Sequence, residues 1–215
     1  MTVVLATPLS QIELTPGSAI RVSDVSWNAY LALLSELGNN RATRIAYDNG
    51  VLEIRMPGPR HEVINRVLAA IISALAEEMD SEFNSLGSVT LNQQKLAKGI
   101  EPDSCFYIQN ARAGQGIETD LSLDPPPDLA LEVDIANPSD SKLPVYLALG
   151  VPEVWLYQQE SIVIKCLQNG KYEDLQMSQA FPNVSAVQLN QWLQLRTTGT
   201  DLTVIRAIRQ FCQEA

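Results

Sequence analysis

The sequence predicts an α/β or α+β domain in which a mixed central β-sheet is flanked by helices. Three observations carry this reading. Segments with helical apolar spacing alternate with short strand-like runs along the chain. Hydrophobic residues make up 46% and charged residues 19%, an ordinary globular balance that excludes wholesale disorder, collagen and a disulfide-stapled miniprotein. No apolar run approaches the roughly 20 residues needed to span a bilayer. At 215 residues, with no repeat or linker, one domain is expected over 1–215. It divides into an extended lead-in to about residue 20, a core from about 20 to 195, and a C-terminal helix in 196–215.

Residues 1–22 read as extended, punctuated by Pro8, Pro16 and Gly17. Ser23 and Asp24 can cap a helix to about Leu37, with Trp27, Tyr30, Leu31, Leu34 and Leu37 at helical spacing. Gly38-Asn39-Asn40 stops it. Arg44–Tyr47, the turn Asp48-Asn49-Gly50 and Val51–Met56 predict a hairpin. Pro57-Gly58-Pro59 breaks the strand before a long helix from about Arg60 to Met79, with Val63, Val67, Ala70, Ile71, Ala74 and Leu75 as its apolar stripe. Strands are predicted near 82–86 and 88–93, and over Pro102–Ile108; residues 109–124 read as a loop. Asp128–Ile135 is a buried strand carrying carboxylates. Asn137-Pro138-Ser139-Asp140 ends it and can cap a short helix to Leu149, stopped by Gly150. Val151–Tyr157 and Ser161–Leu167 form a second hairpin, and helices over 188–195 and 201–213 complete the chain.

The net charge of −10 argues against a protein that coats nucleic acid nonspecifically, since such binding rests on Lys and Arg neutralising phosphates. It leaves room for a nuclease, because a carboxylate cluster that holds a divalent metal is itself acidic. No basic residue precedes Arg21, so no secretory signal is expected. Cys105, Cys166 and Cys212 are far apart, without metal-ligand spacing, which fits a reduced, cytoplasmic protein with inert thiols.

Two acidic residues stand in apolar strands: Asp103 after Pro102, and Glu132 within Asp128-Leu-Ala-Leu-Glu-Val-Asp134. A carboxylate there is costly unless paired or bound to a cation. Glu132 and Asp134, two apart, share a strand face. Carboxylates converging from adjacent strands suit Mg2+, or Mn2+, which takes oxygen ligands and generates a nucleophilic hydroxide. Lys142, ten residues after Glu132 in the first turn of the next helix, can orient water or neutralise charge in the transition state.

These segments carry a resemblance. Residues 49–61 (Asn-Gly-Val-Leu-Glu-Ile-Arg-Met-Pro-Gly-Pro-Arg-His), Glu101-Pro-Asp103, residues 127–134 (Pro-Asp-Leu-Ala-Leu-Glu-Val-Asp) and residues 142–155 (Lys-Leu-Pro-Val-Tyr-Leu-Ala-Leu-Gly-Val-Pro-Glu-Val-Trp) resemble the Uma-type restriction endonuclease family, expanded in cyanobacteria, of the PD-(D/E)XK nuclease superfamily. The resemblance covers roughly residues 20–195 and implies a restriction-endonuclease-like core. It implies that Asp103 and Glu132 are metal ligands and that the superfamily Lys, normally two residues after that Glu, has moved from the position of Asp134 to Lys142. It makes Glu62 and His61, the chain's single histidine, accessory candidates, with Glu53 and Asp134 beside them. The substrate it implies is DNA and the assembly, by analogy with nucleases that cut two strands, a homodimer.

Plainer readings stand beside these. Asp103 can be a strand-entry turn residue, and Glu132 and Asp134 the wet face of an edge strand. Lys142 can be a solvated helix residue, His61 a helix cap, Glu62 an acidic first-turn residue and Glu53 a solvent-facing hairpin residue. Trp27, Trp155 and Trp192 read as packing. Gly114 and Gly116 lack the Lys-Ser/Thr of a phosphate loop. The functional alternatives to the nuclease are a catalytically silent binding or regulatory module on the same fold, and a hydrolase of small phosphoesters with a narrow closed pocket.

Overall fold

The computed structural model describes residues 12–38, 41–114, 124–135 and 142–214. In chain order these form β1 (Ala19–Val22), α1 (Trp27–Leu37), β2 (Arg44–Asp48), β3 (Val51–Arg55), α2 (Pro59–Glu78), β4 (Asn84–Gly87), β5 (Leu91–Gln93), β6 (Lys98–Ile100), β7 (Ser104–Tyr107), β8 (Leu129–Val133), α3 (Leu143–Leu149), β9 (Glu153–Gln158), β10 (Ser161–Gln168), β11 (Lys171–Leu175), α4 (Ala186–Leu195) and α5 (Asp201–Glu214). The mixed sheet has the order β11-β10-β9-β8-β7-β4, with β8 and β9 parallel and the remaining neighbours antiparallel. A second sheet, order β1-β3-β2-β6-β5, is antiparallel throughout.

At the β2–β3 turn Asn49 and Gly50 have φ of 45° and 95°, the pair of positive angles that a two-residue hairpin with matched twist requires. Ile45, Tyr47, Leu52 and Ile54 then face one side, against Tyr30 and Leu33 of α1. The cap of α1 is Ser26, whose hydroxyl accepts from the Ala29 N–H at 3.2 Å, rather than Ser23-Asp24; Asp24 instead takes a φ of 61° in the preceding turn. Pro59 opens α2 at its first position, where its missing N–H costs nothing.

Val63 does not join the buried stripe of α2; it is 50% exposed, while Ile64, Leu68 and Ile72 are buried. The cause is that α2 packs on β8 and also on α4 and α5, so its buried surface turns around the axis. The strands predicted near 82–86 and 88–93 are β4 and β5 and join different sheets: β4 pairs with β7 in the mixed sheet, and β5 pairs with β6 in the other. Strands β6 and β11, and the last part of the lead-in as strand β1, complete the sheets beyond the predicted elements. The end of the predicted lead-in thus pairs with β3, Ile20 opposite Ile54. Within 109–124, residues Ala111–Gly114 form a 3-10 turn; residues 115–123 and the proposed cap at 137–140 lie outside the described residues, as does 1–11.

The layers follow from the apolar faces. One face of the mixed sheet (Phe106, Leu129, Leu131, Val133, Trp155) packs on α2, α4 and α5, with Trp192 and Phe181. Its other face (Cys105, Ala130, Val154) packs on Val145 and Tyr146 of α3 and on Leu91 and Ile100 of the antiparallel sheet. The antiparallel sheet is covered in turn by α1. Among the described residues no helix is long and apolar enough to cross a membrane.

Candidate active site

The site lies where the two sheets and the first turn of α2 meet. Strand β8 is buried on both faces. Leu129, Leu131 and Val133 point to the α2 side, which turns Glu132 toward α3. Glu132 is 1% exposed and accepts on both oxygens. Lys142 Nζ donates to Oε2 and the Tyr146 hydroxyl donates to Oε1. Lys142 directly precedes α3 and Tyr146 stands one turn on, so a single short helix delivers both donors. The Lys142 charge is needed, because an unpaired buried carboxylate costs several kcal/mol, of order, even after relaxation.

Asp103 precedes β7 and is also buried. Its Oδ2 accepts from the Val133 N–H at 2.8 Å and lies 2.9 Å from His61 Nε2. Its Oδ1 has no protein donor among the described residues. Asn65, one turn after His61, donates to the Asp103 carbonyl at 3.1 Å and accepts from the Ser104 hydroxyl at 3.0 Å. The first two turns of α2 therefore fix the start of β7. Among the described residues, His61 Nδ1 is buried with no hydrogen-bond partner.

Asp134 follows β8. Its N–H donates to the Tyr157 carbonyl at 2.7 Å, and its Oδ1 accepts from Arg55 at 3.0 Å. Arg55 also lies 2.8 Å from Glu53, so the hairpin strand does bring Glu53 and a cation to the edge of the cluster. Glu62 is not brought in: it pairs with Arg66 at 2.7 Å on the exposed side of α2. The structure brings His61, Asp103, Glu132 and Lys142 together. Tyr146, Asn65 and Arg55 are site residues that the sequence reading did not single out. For Tyr146 a signal existed, the four-residue step from Lys142 within one helix.

The electrostatics separate the two central carboxyls. For Asp103, burial pushes the pKa up, but the His61 hydrogen bond, the Lys142 charge and the Val133 N–H overcome it and hold the group below its ordinary value. For Glu132, burial prevails: with the Asp103 charge added, it outweighs Lys142 and Arg55 and raises the pKa to about 7. Burial and the neighbouring Glu132 push the Tyr146 hydroxyl well up, so it acts as a hydrogen-bond donor.

Asp103 and Glu132 fit a hard divalent cation in kind. Mg2+ is commonly held by one or two carboxylates and keeps several waters, so it does not require a cage of protein ligands. Among the described residues no group of three or more His, Cys, Asp or Glu is arranged to hold a metal by itself.

Over residues 27–198 the chain matches a family, Uma2, described as "Putative restriction endonuclease". Its structure is similar to the crystal structure of a protein from Anabaena variabilis described as a putative nuclease belonging to DUF820. The TM-score is 0.57 at 16% identity, over 80% of this chain and 99% of that one, a likeness of fold. No curated protein matches.

Proposed function

Since the chain belongs to the Uma2 putative restriction endonuclease family, we propose that it is a metal-dependent endonuclease that hydrolyses DNA phosphodiester bonds. The observation that carries this is the pair Asp103 and Glu132, buried side by side with Lys142 on Glu132. Asp103 and Glu132 would hold Mg2+ or Mn2+. When bound, the ion supplies an activated water and neutralises charge on the phosphoryl group. His61 and the Val133 N–H fix the Asp103 carboxylate through Oδ2, which leaves Oδ1 for the ion. Tyr146 fixes Glu132. Lys142 stabilises negative charge that develops at the phosphoryl oxygens. Glu53 and Asp134 hold Arg55 at the edge. Cutting both strands takes two such sites, so a homodimer acting in the cytoplasm completes the reading.

The test is cleavage of supercoiled plasmid with Mg2+, Mn2+ or chelator. Nicking is expected with metal and is lost with chelator and in Asp103→Ala and Glu132→Ala. Unchanged cleavage in both variants rejects the assignment. One observation favours the second reading, a binding module without turnover: both Glu132 oxygens already accept protein donors. It predicts DNA left intact with either metal.

A further inference from the structure

Arg44 and Arg55 stand opposite one another on β2 and β3. Like charges in that position repel unless something answers them. Arg55 is answered by Glu53 and Asp134. Arg44 has no acidic partner among the described residues, in a chain with 25 Asp and Glu against 15 Lys and Arg. Among the described residues its side chain makes one hydrogen bond, a long one of 3.4 Å to the Thr43 carbonyl, and its Nε is buried without a partner. A guanidinium without an acidic partner beside a second guanidinium calls for an anion.

Both arginines line a cavity of about 180 Å³. Its wall continues through Arg60 and the first turn of α2 to His61 and Asp103. Gly58 caps that 20-residue helix without a side-chain acceptor, so no cap side chain covers its first N–H groups; the acidic residue of its first turn, Glu62, is turned to the exposed side with Arg66. Among the described residues the acidic partner of Arg60 is Glu160, in a well-exposed contact that solvent screens, with a long hydrogen bond of 3.5 Å to the Tyr157 hydroxyl beside it. The cavity thus gathers cationic donors on one side and reaches the Asp103 carboxylate on the other.

We propose that this cavity is a phosphate-binding subsite, with Arg44 as its principal donor, that seats a phosphate group of the nucleic-acid strand beside Asp103. Guanidinium matches phosphate with two parallel hydrogen bonds, and a phosphate answers the repulsion between Arg44 and Arg55. The inference rests on the nuclease reading for the source of the phosphate; a free phosphate or a phosphomonoester has the same chemistry.

The test uses the full chain in chelator, so that binding is read without cleavage. Arg44→Gln is expected to weaken binding of a labelled DNA duplex about tenfold and to shallow its salt dependence by about one charge. Arg44→Lys retains part of the affinity, and Arg209→Gln, on the far helix α5, changes neither quantity. The thermal midpoint of ligand-free Arg44→Gln stays level or rises, because a repulsion is removed; a lowered midpoint would make Arg44 structural and overturn the proposal. Unchanged duplex affinity and salt slope in Arg44→Gln overturns it as well. If inorganic phosphate stabilises the wild type but not Arg44→Gln while duplex affinity is unchanged, the cavity belongs to a small phosphoester and the strand assignment falls. A protein that never cuts plasmid, yet binds duplex through Arg44, refutes the nuclease reading and leaves the subsite standing.

Discussion

Glu132 and Glu153 are equally buried, but their neighbours give them different work. Glu153 accepts from four neutral donors: Trp155 Nε1, the Ser178 hydroxyl and the N–H groups of Gln179 and Ala180, at 2.5–3.0 Å. It ties the 178–181 loop to β9. Glu132 faces a cation and another carboxylate, and its native pKa of about 7 lies above the ordinary 4.5. Between those values the native state binds a proton that the unfolded chain has released. In chelator, Glu132 therefore subtracts stability as pH rises from about 4.5 to about 7, by at most about 3 kcal/mol. Asp103, held low, acts in the opposite sense and below that window: its contribution is lost as pH falls beneath its ordinary 3.8. Urea midpoints of the wild type should fall relative to Glu132→Gln across this range, and parallel pH profiles would refute the raised value. The sequence made Asp103, Glu132 and Lys142 legible, because charge inside an apolar strand calls for a partner. It did not single out Arg44 and Arg55, whose meaning depends on β2–β3 pairing and on a cavity closed by α2.

At the level of elements, the antiparallel sheet depends on a glycine. Gly99 of β6 lies opposite Tyr47 and Asn92. A Cβ there would collide with the Tyr30 hydroxyl and with Asn92 Oδ1, which share a hydrogen bond of 2.6 Å. Gly99→Ala should cost roughly 2–3 kcal/mol, read as a lowered urea midpoint, by overpacking that contact. A midpoint unchanged by the substitution would mean that α1 and β6 yield freely. The same strand shows why some elements escape sequence reading. Lys98–Ile100 is three residues long and holds a glycine; it is a strand only because β2 and β5 flank it. Strand β11, Lys-Tyr-Glu-Asp-Leu, is polar because it is an edge. The hairpin at Asn49-Gly50 and the helix opened by Pro59 were legible because their signals are local.

For the whole molecule, the proposed metal binding would be linked to folding, since Asp103 and Glu132 meet only when β7 and β8 pair in the mixed sheet. Mg2+ at about a hundred times its Kd should add about 2.7 kcal/mol of stability. For a chain of this length that raises the thermal midpoint by roughly 5–10 °C. Chelator reverses the rise and Asp103→Asn abolishes it; a midpoint indifferent to Mg2+ and Mn2+ removes the ion from the site. The parallel pairing of β8 with β9 also orders events during synthesis. Asp103, Glu132 and Lys142 leave the ribosome before β9 does, yet β9 is the neighbour that flanks Glu132 and receives the Asp134 N–H at Tyr157. A chain released before residue 153 carries every acidic and basic group of the site without the strand that holds them in register. On the proposed nuclease reading, a prematurely terminated copy is therefore expected to leave DNA uncut.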